Sequence, residues 1–163
     1  MNKKIVLIST CTYPSDQGIR TLSSVLGKAG YDVKIVFMVL SEDYSKNYTE
    51  IELLQLADLC RNSLFIGINA FASTAERAER IISYLKKNLN SIPVIYGGVH
   101  PTISPDDCIK NCDIICIGEA EETAVEFIDA LEKGKPLENV SSIIIRNTDG
   151  KVIKTGKGRT VKD

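Results

Sequence analysis

Short apolar runs alternate along the chain with stretches whose apolar residues recur every three or four positions, the signature of strands interleaved with helices. Ile5-Val6-Leu7-Ile8 is continuously apolar, as expected of a strand covered on both faces. A polar loop from Ser9 to Gln17 follows, then a helix with the stripe Ile19, Leu22, Leu26 and Ala29, ended by Gly30. Val33 to Val39 predicts a second strand, Ile51, Leu54, Ala57 and Cys60 a second helical stripe, and Leu64 to Ala70 a third strand. Ser73 reads as the N-cap of the next helix, with Glu76 completing a capping box and Ala78, Ile81, Ile82, Leu85 and Leu89 facing inward. Pro93 to Tyr96 predicts a fourth strand that runs into Gly97-Gly98, and a short helix around Pro105 to Lys110 leads to a fifth, Ile114 to Ile117. The last long helix is expected to carry Glu119, Glu121 and Glu122 in its first turn, where they complement the helix dipole. Its buried stripe is Ala124, Phe127, Ile128 and Leu131.

The rhythm changes after Pro136. Ser142 to Arg146 and Lys151 to Lys154 flank Asn147-Thr148-Asp149-Gly150, a strong hairpin signal. The expected fold is therefore α/β: a flavodoxin-like doubly wound parallel five-stranded sheet, order 2-1-3-4-5, with a C-terminal β-hairpin. This divides the chain into an α/β domain over 1–136, a hairpin extension over 137–155 and a polar, basic linker over 156–163.

Composition narrows the function. The 163 residues (17.9 kDa) amount to one domain, and 44% hydrophobic with 25% charged residues is the balance of a globular protein. A net charge of −1 argues against a nucleic-acid partner. No apolar run approaches the ~20 residues needed to span a bilayer, and the start is too short of apolar residues for a secretory signal. The expectation is a cytoplasmic chain with no membrane partner. The five cysteines fit that compartment, being odd in number and scattered. Cys108, Cys112 and Cys116 form a C-x3-C-x3-C series, but they fall on a short helix, near its end and inside a strand, so they read as structural.

In such a sheet, ligands bind beyond the carboxyl ends of the strands. The loops concerned hold Thr10 to Ser15, Phe71 to Thr74, Gly97 to Thr102, and Gly118-Glu119. A phospho-receiver is excluded, because there is no acid between Lys4 and Asp16, Asn69-Ala70 ends the third strand and Gly118 follows the fifth. A Rossmann site is excluded by the lack of G-x-G-x-x-G after the first strand. A flavin mononucleotide site stays open: Thr10, Thr12 and Ser15 supply hydroxyls, although Tyr13-Pro14 removes an amide and adds bulk. Gly97-Gly98 is either a tight turn or a place where a ligand approaches the backbone closely. Ser73 is a helix cap or a ligand contact. His100, the sole histidine, is expected to be held extended by Pro101 on a loop at the ligand edge, with or without a chemical role. A zinc site is not expected, since there is no second histidine and the cysteines are poorly placed. Tyr44 and Tyr48, with Asp43, read as an exposed connection.

Two segments suggest a family. Val94-Ile95-Tyr96-Gly97-Gly98-Val99-His100-Pro101-Thr102, followed by Asp113-Ile114-Ile115-Cys116-Ile117-Gly118-Glu119-Ala120-Glu121-Glu122-Thr123, resembles the N-terminal cobalamin-binding domain of cobalamin-dependent radical S-adenosylmethionine enzymes. That family includes enzymes similar to magnesium-protoporphyrin cyclase and many methyltransferases. Gly18-Ile19-Arg20-Thr21-Leu22, the hairpin and the basic linker also resemble it. The resemblance implies cobalamin as cofactor, over the carboxyl edge, with its nucleotide tail slotted beside the first strand. It implies cofactor contacts from Thr10, Cys11, Thr12, Ser73, Thr74, Gly97, Gly98, Val99, His100, Gly118 and Glu119, with no catalytic residue, and with cobalt either lacking a protein ligand beneath it or taking water or another loop group. Gly97-Gly98 would let the tail pass, and Ser73 and Thr74 would hydrogen-bond it. The D-x-H-x-x-G histidine of methionine-synthase-type domains has no counterpart between Cys11 and Gly18, and no C-x3-C-x2-C triplet occurs. The implied protein is a binding module, with the iron–sulfur cluster and S-adenosylmethionine belonging to a C-terminal or separate radical domain. The alternatives are a flavodoxin-like electron carrier and a ligand-free interaction domain.

Overall fold

A computed structural model describes residues 3–11, 13–39 and 47–156. The strands are β1 (Lys4–Ser9), β2 (Asp32–Phe37), β3 (Phe65–Asn69), β4 (Val94–Gly97), β5 (Ile114–Cys116), β6 (Ile143–Arg146) and β7 (Val152–Lys154). The helices are α1 (Gln17–Lys28), α2 (Glu50–Cys60), α3 (Ala75–Asn88), the short α4 (Val99–Ile103) and α5 (Pro105–Cys108), and α6 (Glu121–Lys133). The strands form one seven-stranded sheet in the order β2-β1-β3-β4-β5-β6-β7. The first five strands are parallel in the expected order, and the hairpin adds β6 and β7 antiparallel beyond β5.

Because side chains alternate across a strand, each apolar run supplies both faces. Val6, Ile8, Ile66, Ile68, Tyr96 and Ile115 pack with α2, α3 and α5. Ile5, Leu7, Phe65, Ile95, Ile114 and Ile143 pack with α1 and α6. On that second face the Phe65 and Phe127 rings meet edge to face at 5.7 Å, a contact worth ~0.5–1.5 kcal/mol beyond its buried area. Arg146 fastens the hairpin to the parallel sheet through the Lys110 carbonyl and the Asp113 carboxylate.

Several expectations need correction. In α2 the buried residues are Leu53, Leu56, Ala57 and Cys60, whereas Ile51 and Leu54 are exposed, because the helix is rotated about its axis relative to the expected stripe. Ser73 does not cap α3. It lies in a 3₁₀ turn, Ala72–Thr74, which moves the helix start one residue on and leaves Ser73 exposed. His100 is not on an extended segment. Gly98 turns the chain directly into α4, and Pro101 fits its first turn, where a missing N–H costs nothing. Glu119 precedes α6 rather than opening it. Tyr48 is buried, and its hydroxyl donates to the Met38 carbonyl at 2.6 Å. Thr12, Asp43 and Tyr44 lie outside the described residues, as does nearly all of the 156–163 linker.

Candidate functional site

The site begins with two absent side chains. Residues 65, 67 and 69 of β3 and 95 and 97 of β4 point to the α1/α6 face, and Gly67 and Gly97 contribute nothing there. A Cβ on Gly67 would meet Leu7 Cδ2 at 2.9 Å, and one on Gly97 would rest against Cys116 Cβ at 3.7 Å. The space they leave is a cavity of about 320 Å³ between the sheet, the start of α1 and the first turns of α6. Leu7, Phe65, Ile95 and Phe127 make it mostly apolar, and Gly18, Ile19 and Leu22 form the α1 wall. It reaches the carboxyl edge, where Asn69, Gly98, Gly118 and Glu119 border it. This is the size and character of a small-ligand site.

Its polar groups are few. One carboxylate oxygen of Glu121, Oε2, is buried with no hydrogen-bond partner among the described residues, although the residue lines the cavity. Such an orphaned acceptor suits a ligand hydroxyl or N–H. Burial pushes the neighbouring Cys116 thiol up to about 11 and the Glu121 charge adds to this, while a Thr123 contact opposes it. That thiol is a neutral part of the wall.

The carboxyl edge is held by a network centred on Asp16, the N-cap of α1. Its carboxylate accepts from Ser9 Oγ at 2.7 Å, from the Asn69 amide and from the Ile19 backbone N–H at 3.2 Å. Burial alone would raise the Asp16 pKa. The hydrogen bonds from Ser9, Asn69, Ile19 and Cys11 outweigh it, so the carboxyl lies below its ordinary value and is ionised. Cys11, whose thiol faces Asp16 at 3.4 Å, is shifted up, mainly by burial. A second link joins the loops after β4 and β5: the Gly118 N–H donates to Thr102 Oγ1, which itself donates to the Gly98 carbonyl.

The fold brings Gly97, Gly98, Gly118 and Glu119 together around the cavity. Thr10 and Thr74 are buried beside that rim, with the Thr10 hydroxyl donating to Thr74 Oγ1 at 2.9 Å and Thr74 accepting the Phe71 N–H. Ser73 and Val99 stand exposed at the same edge. His100 is apart from the cavity, with its ring 6.5 Å from that of Tyr96, a residue of the α2/α3 layer. Gly98 has a role other than clearing a path for a ligand. At φ 101° its missing Cβ would fall on Asn69 Oδ1 and within 2.9 Å of the Ala70 carbonyl, so it is the protein's own β3 edge that needs the space. Sequence reasoning missed Gly67, Asp16, Asn69 and Glu121. Gly67 carried a legible signal, a glycine inside an otherwise apolar strand, but the Asp16–Asn69 contact spans 53 positions and needed the fold.

Fold and cavity together define a flavodoxin-like α/β domain with a cavity open at the carboxyl edge of its sheet. The chain belongs to the B12-binding domain family, whose pattern matches residues 3–128, and it is a cobalamin-binding domain. An anaerobic magnesium-protoporphyrin IX monomethyl ester cyclase of Synechocystis is 28% identical over 150 residues, which make up 90% of this chain and 29% of that protein. Among solved structures, the radical S-adenosylmethionine methyltransferase TsrM of Kitasatospora setae, with cobalamin and a [4Fe-4S] cluster bound, superposes with a TM-score of 0.79. The match is at 15% identity and covers 99% of this chain and 30% of TsrM. The cobalamin-dependent S-adenosylmethionine radical enzyme OxsB, with aqua-cobalamin and S-adenosylmethionine bound, superposes at 0.78 and 20% identity, over 97% of this chain and 22% of OxsB. The chain thus spans less than a third of the length of each of these proteins. The cavity fits the cofactor class, having a glycine floor, apolar walls and an orphaned acceptor. No helix among the described residues is long and apolar enough to cross a membrane.

Proposed function

We propose that this chain is the cobalamin-binding module of a radical S-adenosylmethionine enzyme of the methyl-transfer or oxidative-cyclisation type. Its iron–sulfur cluster and S-adenosylmethionine would reside in a radical domain outside these 163 residues. The observation that carries the reading is the cavity floored by Gly67 and Gly97 and open at the carboxyl edge. The similarity to the cyclase, and the lack of a C-x3-C-x2-C triplet here, support the division of labour. Bound cobalamin supplies the organometallic chemistry, and the protein binds and orients it.

In this reading the nucleotide tail enters between α1 and α6, bordered by Gly97, Gly98, Gly118 and Glu119, with Glu121 accepting one of its donors. Thr10, Cys11 and Thr74 hold the rim, Thr12 and Ser73 offer hydroxyls to the cofactor, and His100 belongs to the outer rim beyond Val99. Tyr13, Phe71 and Val99, all exposed, supply an apolar edge for the flat corrin ring. The chain's sole histidine, His100, lies outside the cavity lining.

Titration of the chain with hydroxocobalamin, followed by visible absorbance and calorimetry, tests this. We expect saturable one-to-one binding with a base-off spectrum. Gly67→Leu should fill the floor and weaken binding at least about tenfold, equivalent to ~1.4 kcal/mol, while the fold persists. Saturable flavin mononucleotide binding in place of cobalamin, or unchanged affinity in Gly67→Leu, would sink the assignment.

A further inference from the structure

On the sheet face opposite the cavity, three helices bring together a set of side chains outside the cavity's lining. Glu79 of α3, His100 of α4 and Cys108 of α5 place a carboxylate oxygen, an imidazole nitrogen and a thiol sulfur all within 4.8 Å of one another. Cys108 is wholly buried and the other two are half-buried. None of the three is hydrogen-bonded to another. A fourth group meets them: Tyr96 is 0% exposed, and its hydroxyl is among the few buried polar atoms with no hydrogen-bond partner among the described residues. Burial raises the Tyr96 pKa, and Cys108 and Glu79 are close enough to raise it further.

A buried phenol without a partner calls for a group that supplies one. A structural cysteine explains Cys108 alone. It leaves the Tyr96 hydroxyl unexplained, as well as the convergence of an imidazole and a carboxylate on the same sulfur. A cation at the centre accounts for all four.

We propose that Glu79, His100 and Cys108 form a three-ligand zinc site whose fourth position takes a water held by the Tyr96 hydroxyl. The mixed sulfur, nitrogen and oxygen donor set suits zinc. Bonds of about 2.0–2.3 Å set tetrahedral ligand atoms roughly 3.5 Å apart, so the three side chains close by about an ångström, within the reach of small side-chain adjustments. Binding converts the Cys108 thiol to thiolate and releases its proton to solvent, so affinity rises with pH. The ligands lie 21 and 8 residues apart, outside any zinc-finger spacing, which is why the sequence showed no metal motif. An ion here would tie α3, α4 and α5 together and brace the segment that follows Gly98 at the cavity's rim. The site is independent of whether cobalamin occupies the cavity.

Cobalt(II) is the spectroscopic probe, added to the metal-stripped, cobalamin-free chain, with zinc as competitor. The expected result is one equivalent bound with a thiolate-to-cobalt charge-transfer band and tetrahedral visible absorption, both abolished by one equivalent of zinc. Cys108→Ser and His100→Ala should each lose the charge-transfer band or weaken binding at least tenfold, and Cys116→Ser should keep both. Circular dichroism checks that each variant is folded. If Cys108→Ser is not folded, His100→Ala and the milder Glu79→Gln decide. Absence of the band in the folded wild-type chain overturns the proposal. So do an unchanged band and unchanged affinity together in the folded His100→Ala variant, since the metal would then sit elsewhere.

Discussion

Single residues at the carboxyl edge are set by what approaches them. Gly98 combines a left-handed backbone with contact against Asn69 and Ala70, so Gly98→Ala is strained in conformation and in space alike. We expect it to cost about 2 kcal/mol or more, seen as a lower urea midpoint even without cofactor. Stability equal to wild type would show that the β3 edge yields easily. Asp16 makes a different demand. Its carboxyl titrates below the ordinary aspartate range, so the stabilisation it provides is complete above the unfolded pKa of about 3.9 and disappears as pH falls through the folded value. Asp16→Asn should therefore destabilise by about 1–2 kcal/mol at pH 7. The gap between variant and wild type should hold to pH 5 and narrow below pH 4. A gap that is constant down to the lowest pH at which both fold would contradict the network. Asp16 was invisible in the sequence as anything but a loop acid, because its partners come from two other strands.

At the scale of elements, helix starts separate what local sequence decides from what the fold decides. Thr49 and Glu52 form a complete capping box at α2: the Thr49 N–H donates to Glu52 Oε2 at 2.7 Å, and the Glu52 N–H to Thr49 Oγ1 at 3.3 Å. Thr49→Ala should cost about 1 kcal/mol, measured by chemical denaturation, and an unaffected midpoint would mean that α2 is held by packing alone. Ser73 and Glu76 offer the same spelling three elements later, yet no such box forms there. Thr74, one residue on, is drawn under the β1 edge by Thr10, and the 3₁₀ turn that results shifts the helix start. The strands, the order of the parallel sheet and the hairpin were all readable from periodicity and turn residues. The rotation of α2 and the coiling of Val99–Ile103 were not, because tertiary contacts choose a helix's buried face and Gly98 sets the entry of α4.

Across the whole molecule, the two-sided sheet buries four of the five cysteines, Cys60, Cys108 and Cys112 on the α2/α3 face and Cys116 on the α1/α6 face. In the metal-free chain burial raises the thiols of Cys60 and Cys112 to about 12 and those of Cys108 and Cys116 to about 11, so almost none is thiolate at neutral pH. Mass spectrometry after iodoacetamide treatment of the native chain should find Cys11 modified first and slowly, with the other four reacting only after denaturation. Prompt labelling of Cys112 or Cys116 would reveal local opening of the core. The cavity itself was only half legible: the Gly97-Gly98 pair drew attention to the edge where it opens, while the floor depended on Gly67 sharing a face with Gly97, a matter of strand register. That floor has a consequence for the life of the protein. By omitting two side chains beneath α1 and α6, the chain leaves its own interior unfinished, and any molecule seated there completes it. Folding and loading then become one linked equilibrium, in which each increment of bound ligand raises the melting temperature. A chain synthesised in a vitamin-starved cell would open more often and be degraded sooner, so its abundance would follow the supply of the vitamin with no dedicated sensor.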